Sequence, residues 1–262
     1  MKYKHKPKTK TKLLRAIGKE IEEQGWNADL NCIDTSLITY MSRIFSDPTE
    51  DDDIDWDLVG DDDPLCLCHY SEFNGDISGW DTSNVADMNH MFAESKFNGD
   101  ISKWNVSKVT DMGWMFAYSV FDGDISKWDV SGVRNMEGMF YESKFNGNIS
   151  KWNVSKVENM SGMFSVSMFD GNISNWDVSN VTDMSDMFER SKFNNDISKW
   201  NVSKVKGMWG MFQNSKFNQN ISNWGVRDDC YTKDMYAYCE IKPEFKHNYV
   251  DLSKYINIDD LY

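Results

Sequence analysis

Several things are scarce in this sequence. Proline and histidine each occur four times in 262 residues, and 28 Lys and Arg face 42 Asp and Glu, a formal charge of −14. An acidic excess of that size excludes general affinity for nucleic-acid phosphates or anionic lipid. Apolar runs are all far shorter than the roughly 20 residues that cross a bilayer, so no membrane insertion is expected. The basic opening MKYKHKPKTKTKLLRAIGKE is not followed by the apolar stretch a secretory signal needs, and no lipid-anchor cysteine stands near it. A cytoplasmic or virion-associated chain is the expectation. Cys32, Cys66, Cys68, Cys230 and Cys239 are odd in number and scattered, which excludes a full disulfide framework and favours a reducing compartment. Cys66, Cys68 and His69 have no second ligand pair at zinc-finger spacing, so neither a metal nor a cofactor is expected.

Abundance lies elsewhere, in 11 Trp, 15 Phe and 16 Met. Trp80, Trp104, Trp128, Trp152, Trp176, Trp200 and Trp224 recur every 24 residues without a slip. One unit reads FNGDISKWNVSKVTDMGWMFAYSV, from Phe97 to Val120. Upstream, Cys32 to Phe45 keeps the second half of the unit with Ile33 in the tryptophan column, and Trp56 marks a degraded unit at about 46–72. That unit carries Asp47, Glu50, Asp51, Asp52, Asp53 and further aspartates to Asp63, whose mutual repulsion favours an exposed loop; nothing there fixes a cation's geometry.

Within a unit, Ile101, Trp104 and Val106 match an L-x-x-L-x-L frame, the last two on one face of a short strand and Asn105 and Ser107 facing the other way. Val109, Met112, Met115 and Phe116 then fall on one helical face, and Ser107 stands where an N-cap hydroxyl is useful. Phe97-Asn98-Gly99-Asp100 closes the circuit as a turn. The expected fold is therefore α/β, a leucine-rich-repeat-like solenoid of strand, turn and short helix, eight to nine coils long. A single coil buries too little apolar surface to offset the ordering of 24 residues, so neighbouring coils must complete it. Residues 1–31 read as a basic tail and capping helix, with Leu13, Leu14, Ile17 and Ile21 at helical spacing and Gly25 as the stop. Residues 32–226 form the array, and 227–262, with Met235, Tyr236, Tyr249 and Ile258, a second cap.

The unit W-[DN]-V-S-x-V-x-x-M-x-x-M-F followed by F-[ND]-x-[DN]-I-S resembles the repeat of the BspA-like leucine-rich-repeat surface proteins. It is also similar to a domain of unknown function found in mycoplasma lipoproteins. The resemblance implies a noncatalytic solenoid, displayed on bacterial surfaces in many relatives and associated with adhesion or with binding host proteins. Similar arrays occur in phages and large viruses.

Catalysis requires unlike groups brought together, whereas these polar positions repeat as columns of like residues. The serines Ser83, Ser107, Ser131, Ser155, Ser179 and Ser203 have no histidine column to act as base. Asp76, Asp100, Asp124, Asn148, Asn172, Asp196 and Asn220 suit a ladder of side-chain to backbone bonds better than calcium, since Asn replaces Asp repeatedly. The expected ligand surface is the outward strand face: Lys103, Asn105, Lys127, Asp129, Lys151, Asn153, Asn175, Asp177, Lys199 and Asn201. Trp114 and Trp209 are candidate exposed anchors. The function expected is noncatalytic binding of a protein or glycan; the alternative is a phage or viral structural component using the array as a rigid spacer or receptor contact. A third idea is an intracellular interaction protein whose lysines Lys2 to Lys12 meet an acidic partner.

Overall fold

The computed structural model describes residues 3–46 and 70–247. Trp56, the acidic stretch Asp47–Asp63, the Cys66, Cys68 and His69 group, and Tyr249 and Ile258 lie outside the described residues.

The chain opens by pairing with its own first coil. The Lys4 and His5 N–H groups donate to Cys32 O, and Asp34 N–H donates to His5 O at 2.9 Å. Helix α1 follows, Lys10–Gln24; the Thr9 hydroxyl accepts from Lys12 N, and Gly25, at φ 81°, ends the helix with its N–H on Ile21 O. Leu13, Leu14, Ile17 and Ile21 are buried in the same apolar cluster as the coils, and Tyr70 donates its hydroxyl to Leu14 O.

From Ala28 onward the chain winds as stacked coils. Parallel bridges step along the column through Tyr40, Asp87, Asp111, Asn135, Asn159, Asp183, Gly207 and Tyr231. Eight coils are present among the described residues, marked by Ile33 and by Trp80, Trp104, Trp128, Trp152, Trp176, Trp200 and Trp224, none of them more than 5% exposed. Each indole N–H crosses to the preceding coil, as Trp128 Nε1 does to Ile101 O at 3.1 Å and Trp152 Nε1 to Ile125 O at 3.1 Å. Beside the indoles runs a double file of phenylalanines. Phe116 stacks on Phe140 at 5.8 Å along the column and on Phe121 at 4.4 Å across it, and later coils repeat the pattern. These offset ring contacts add to simple burial.

The secondary structure inside each coil departs from the expectation. Among the described residues α1 is the sole α-helix, joined by two short 3-10 turns, Tyr70–Glu72 and Pro243–Phe245, and no coil contains a strand of more than one bridging residue. Over Met112–Ser119 a run of turns replaces the helix. Met115, Ala117 and Ser119 N–H groups bond three residues back, while Met112, Trp114, Phe116 and Tyr118 N–H groups reach Asn135, Glu137, Met139 and Tyr141 carbonyls of the next coil. A helix would spend every N–H within its own coil; alternation hands half of them to the neighbour. The geometry needs two left-handed residues per coil. Arg43, His90, Trp114, Gly138, Gly162, Asp186, Gly210 and Asp234 hold one such column at φ 54–61°, and Glu94, Tyr118, Glu142, Val166, Arg190, Asn214 and Tyr238 the other at 48–58°. His90 and its counterparts thus sit at turn corners rather than on a helix surface.

Two boundaries also move. The coil carrying Ile33 lies directly against the coil carrying Trp80: Met41 N–H donates to Asp87 O, Phe45 N–H to Met91 O, and Trp80 Nε1 to Leu30 O. No coil intervenes between them. At the far end, Phe212 N–H donates to Met235 O, Asn214 N–H to Ala237 O and Ile221 N–H to Phe245 O, and Tyr236 stacks on Phe212 at 6.1 Å. Residues 227–245 therefore continue the array instead of departing from it as a separate cap. The signal was Met235 and Tyr236, one period after Met211 and Phe212.

Candidate binding surface

Three files of Asn and Asp shape the exterior on the tryptophan side. In the first, each oxygen turns back to the backbone two residues on: Asp100 Oδ1 accepts from Ser102 N at 2.9 Å, Asp124 Oδ1 from Ser126 N at 2.9 Å and Asn148 Oδ1 from Ser150 N at 3.1 Å. In the second, Asn105 accepts from Ser107 N and Asp129 from Ser131 N, both at 3.1 Å, Asn153 from Ser155 N and Asn201 from Ser203 N, both at 3.2 Å, and Asp177 from Ser179 N at 3.1 Å. The serines are therefore closing residues of Asx turns, not helix caps. The serine two residues on, through its hydroxyl and then its N–H, holds the carboxyls of Asp100, Asp124, Asp129 and Asp177 below the usual carboxylate range, and the Ser198 N–H and hydroxyl do the same for Asp196. The third file was missed by sequence reasoning: Asn98, Asp122, Asn146, Asp170 and Asn194 each accept from the N–H of the residue one coil further on.

Every member of the expected ribbon is exposed, namely Lys103, Asn105, Lys127, Asp129, Lys151, Asn153, Asn175, Asp177, Lys199 and Asn201. The structure brings them together as periodic files. Asn105, Asp129, Asn153, Asp177 and Asn201 already spend an oxygen on backbone, so the lysines are the ribbon's long polar side chains with reach toward a partner. Lys4, one of the six basic-tail residues, is instead held between Glu20 and Glu23, each at 2.7 Å. Glu20 is almost fully buried. Burial alone would raise its pKa, but hydrogen bonds from Lys4, His5 and Gln24 outweigh that and bring it from 4.5 to about 2.

The two candidate anchors part company. Trp209 is 41% exposed. Trp114 is half-buried: His90 stacks on it at 6.0 Å, Tyr141 tilts against it at 5.4 Å, and its indole lies where a Cβ on Gly138 would stand, 2.6 Å away. A glycine at 138 therefore serves both the positive φ and the ring above it. Tyr118 meets Tyr141 edge-on at 5.1 Å. Burial, reinforced by the Arg43 charge and against the pull of Asp111, brings His90 to about 4, so its imidazole is neutral. Burial and the Tyr118 hydroxyl push Tyr141 to about 12. Further along, burial together with Glu189 and Asp183 raises Asp186 to about 6.

A groove of about 350 Å³ opens beside this aromatic group, lined by Arg43, Ser46, His90, Ala93, Glu94, Trp114, Ala117 and Tyr118. Arg43, Ser46 and Glu94 gave no sign in the sequence; Tyr118 and Tyr141 were legible only as aromatics in columns of mixed residues. Among the described residues no group of three or more His, Cys, Asp and Glu is placed to hold a metal ion, and no helix is long and apolar enough to cross a membrane.

A column of 24-residue coils joined by backbone bonds and filled by stacked indole and phenyl rings is a tandem-repeat protein. The profile of the family described as "Mycoplasma protein of unknown function, DUF285" matches residues 66–168 and 142–251, well over half of the chain. The chain belongs to that family. No curated protein and no solved structure shows significant similarity to it.

Proposed function

We propose that the chain is a noncatalytic binding module, a leucine-rich-repeat-like solenoid that engages a protein or glycan partner in the manner of the BspA-like surface repeats. The observation that supports this most is the file formed by Lys103, Lys127, Lys151 and Lys199, exposed in one column with Asn175 at its fourth place, beside Asn and Asp side chains that are occupied with backbone. A rigid row of like groups meets an extended or repetitive partner at several points at once, so modest contacts sum. Affinity capture from envelope, virion and cytosolic fractions tests the reading. The quadruple variant Lys103→Glu, Lys127→Glu, Lys151→Glu and Lys199→Glu should lose the captured partner; undiminished capture would remove the ribbon from the account. The fraction that yields the partner separates an adhesion module from the alternative, a structural or receptor-contacting part of a virus particle.

A further inference from the structure

The column differs at its two ends. Helix α1 caps the first coil, its Leu13, Leu14 and Ile17 fully buried in the common core. The last coil presents a main-chain edge. One coil earlier, the Met208, Gly210 and Phe212 N–H groups donate to the Tyr231, Lys233 and Met235 carbonyls. The corresponding N–H groups of Thr232, Asp234 and Tyr236 reach no carbonyl among the described residues. The Thr232 hydroxyl also lacks a partner among them, although the residue is only 4% exposed. Val226 and Tyr236 are half-buried where Val202 and Phe212, one coil earlier, are sealed. Such an edge calls for acceptors and for apolar cover. Because the carbonyls of this stretch point back into the preceding coil, the edge offers donors alone. A second copy meeting it about a two-fold axis would set donors against donors. An extended segment that supplies carbonyls and apolar side chains fits it.

The chain carries such a sequence just past the last described residue. Val250 to Tyr262, VDLSKYINIDDLY, runs in step with W-[DN]-V-S-x-V-x-x-M-x-x-M-F. Val250 falls in the tryptophan column, as Ile33 does in the first coil, and Leu252 and Tyr255 fall in the valine columns. Ile258, Leu261 and Tyr262 stand for Met, Met and Phe. Asp251 and Ser253 repeat the pairing of Asp129 with Ser131, and Asp260 shares the positive-φ column of Asp186 and Asp234. From Trp224 to Val250 the step is 26 residues instead of 24. The array tolerates far more, since Ile33 and Trp80, in touching coils, are 47 residues apart.

We propose that residues 250–262 dock on this edge as a further coil. The Asn257, Asp259 and Leu261 carbonyls accept from the Thr232, Asp234 and Tyr236 N–H groups, while Ile258 and Leu261 extend the methionine columns. Amide exchange in the full chain, followed by NMR at several protein concentrations, tests this. The Thr232, Asp234 and Tyr236 amides should exchange as slowly as those of Met208, Gly210 and Phe212 at every concentration. Ile258→Asp combined with Leu261→Asp should abolish that protection, while the Met136, Gly138 and Phe140 amides keep theirs. Cysteine pairs give a second readout. With Lys233→Cys and Asp259→Cys, mild oxidation should close a 233–259 disulfide within the chain, and Lys233→Cys with Asp251→Cys should stay open. If the double variant unfolds throughout, the two pairs decide alone. Fast exchange of the three amides in the wild-type chain, protection that survives the double variant, or failure of the 233–259 pair to close ahead of the other would overturn the proposal. So would protection that rises with protein concentration, which assigns the edge to a second copy, or protection that needs added cell extract, which assigns it to another protein.

Discussion

The two long sides of the column solve one problem by opposite means. From Ile101 to Val109 no backbone N–H bonds a carbonyl of a neighbouring coil: Asp100 and Asn105 side chains take the Ser102 and Ser107 N–H groups, and the Trp104 and Val109 N–H groups turn back three residues. On the other side Asp111 still takes the Gly113 N–H, but from Trp114 to Ser119 the backbone satisfies itself, alternately with the next coil and within its own. The consequence is visible in the outward residues. On the first side they repeat from coil to coil, Ser-Lys-Trp-Asn-Val-Ser and its close variants. On the second, one column holds His90, Trp114, Gly138, Gly162, Asp186 and Gly210. Where a side chain serves as part of the backbone it cannot vary; where the main chain closes its own bonds, the exterior is free to carry something individual.

Both sides share one core, and the largest expected effect comes from cutting into it. Trp152→Ala should cost about 3–5 kcal/mol in urea unfolding, through the cavity and the stranded Ile125 carbonyl; near-wild-type stability would show that the coils do not depend on their indoles. Next comes acid. Glu20 has a folded pKa of about 2, below its ordinary 4.5, so it stabilises the protein above pH 4.5 and that contribution is lost as pH falls toward 2. Its full size is on the order of 3 kcal/mol, and a Glu20→Gln variant should flatten this part of the stability-against-pH curve. The difference between the sides is tested by a pair. Asp122→Ala, which removes the acceptor of Asn146 N–H, should cost about 1 kcal/mol, whereas Glu142→Ala, on the turn side, should fall within about 0.5 kcal/mol of wild type. Equal costs would erase the contrast. On the turn side, Val166 carries a β-branched side chain at φ 54°. Val166→Asn, copying Asn214, should raise stability by about 1 kcal/mol. The smallest effect is none: a chelator should leave the melting temperature unchanged, because the Asx oxygens are bonded to backbone N–H groups.

Much of this architecture could be read from residues alone, and the failures are physical. The 24-residue tryptophan step, the place of Ile33 in that column and helix α1, with Leu13, Leu14, Ile17, Ile21 and Gly25, all follow from spacing. The coil interior did not. Offsets such as those of Val109, Met112, Met115 and Phe116 fit an α-helix, yet linked turns three residues long produce the same inward face. Gly138, Gly162 and Gly210, recurring where a helix would disfavour them, were the contrary sign. The groove was illegible for another reason. Arg43 and His90 occupy one column, but 47 positions separate them in the chain, so their adjacency depends on knowing that the coil of Ile33 touches the coil of Trp80.

That contact has a practical side. Since Ser46 and Tyr70 flank two layers already fastened to each other, register on both sides is kept by the layers themselves and not by the length of polypeptide joining them. A change in the number of residues between Ile33 and Trp80 should therefore leave the later coils, 24 residues to a step, in their present register.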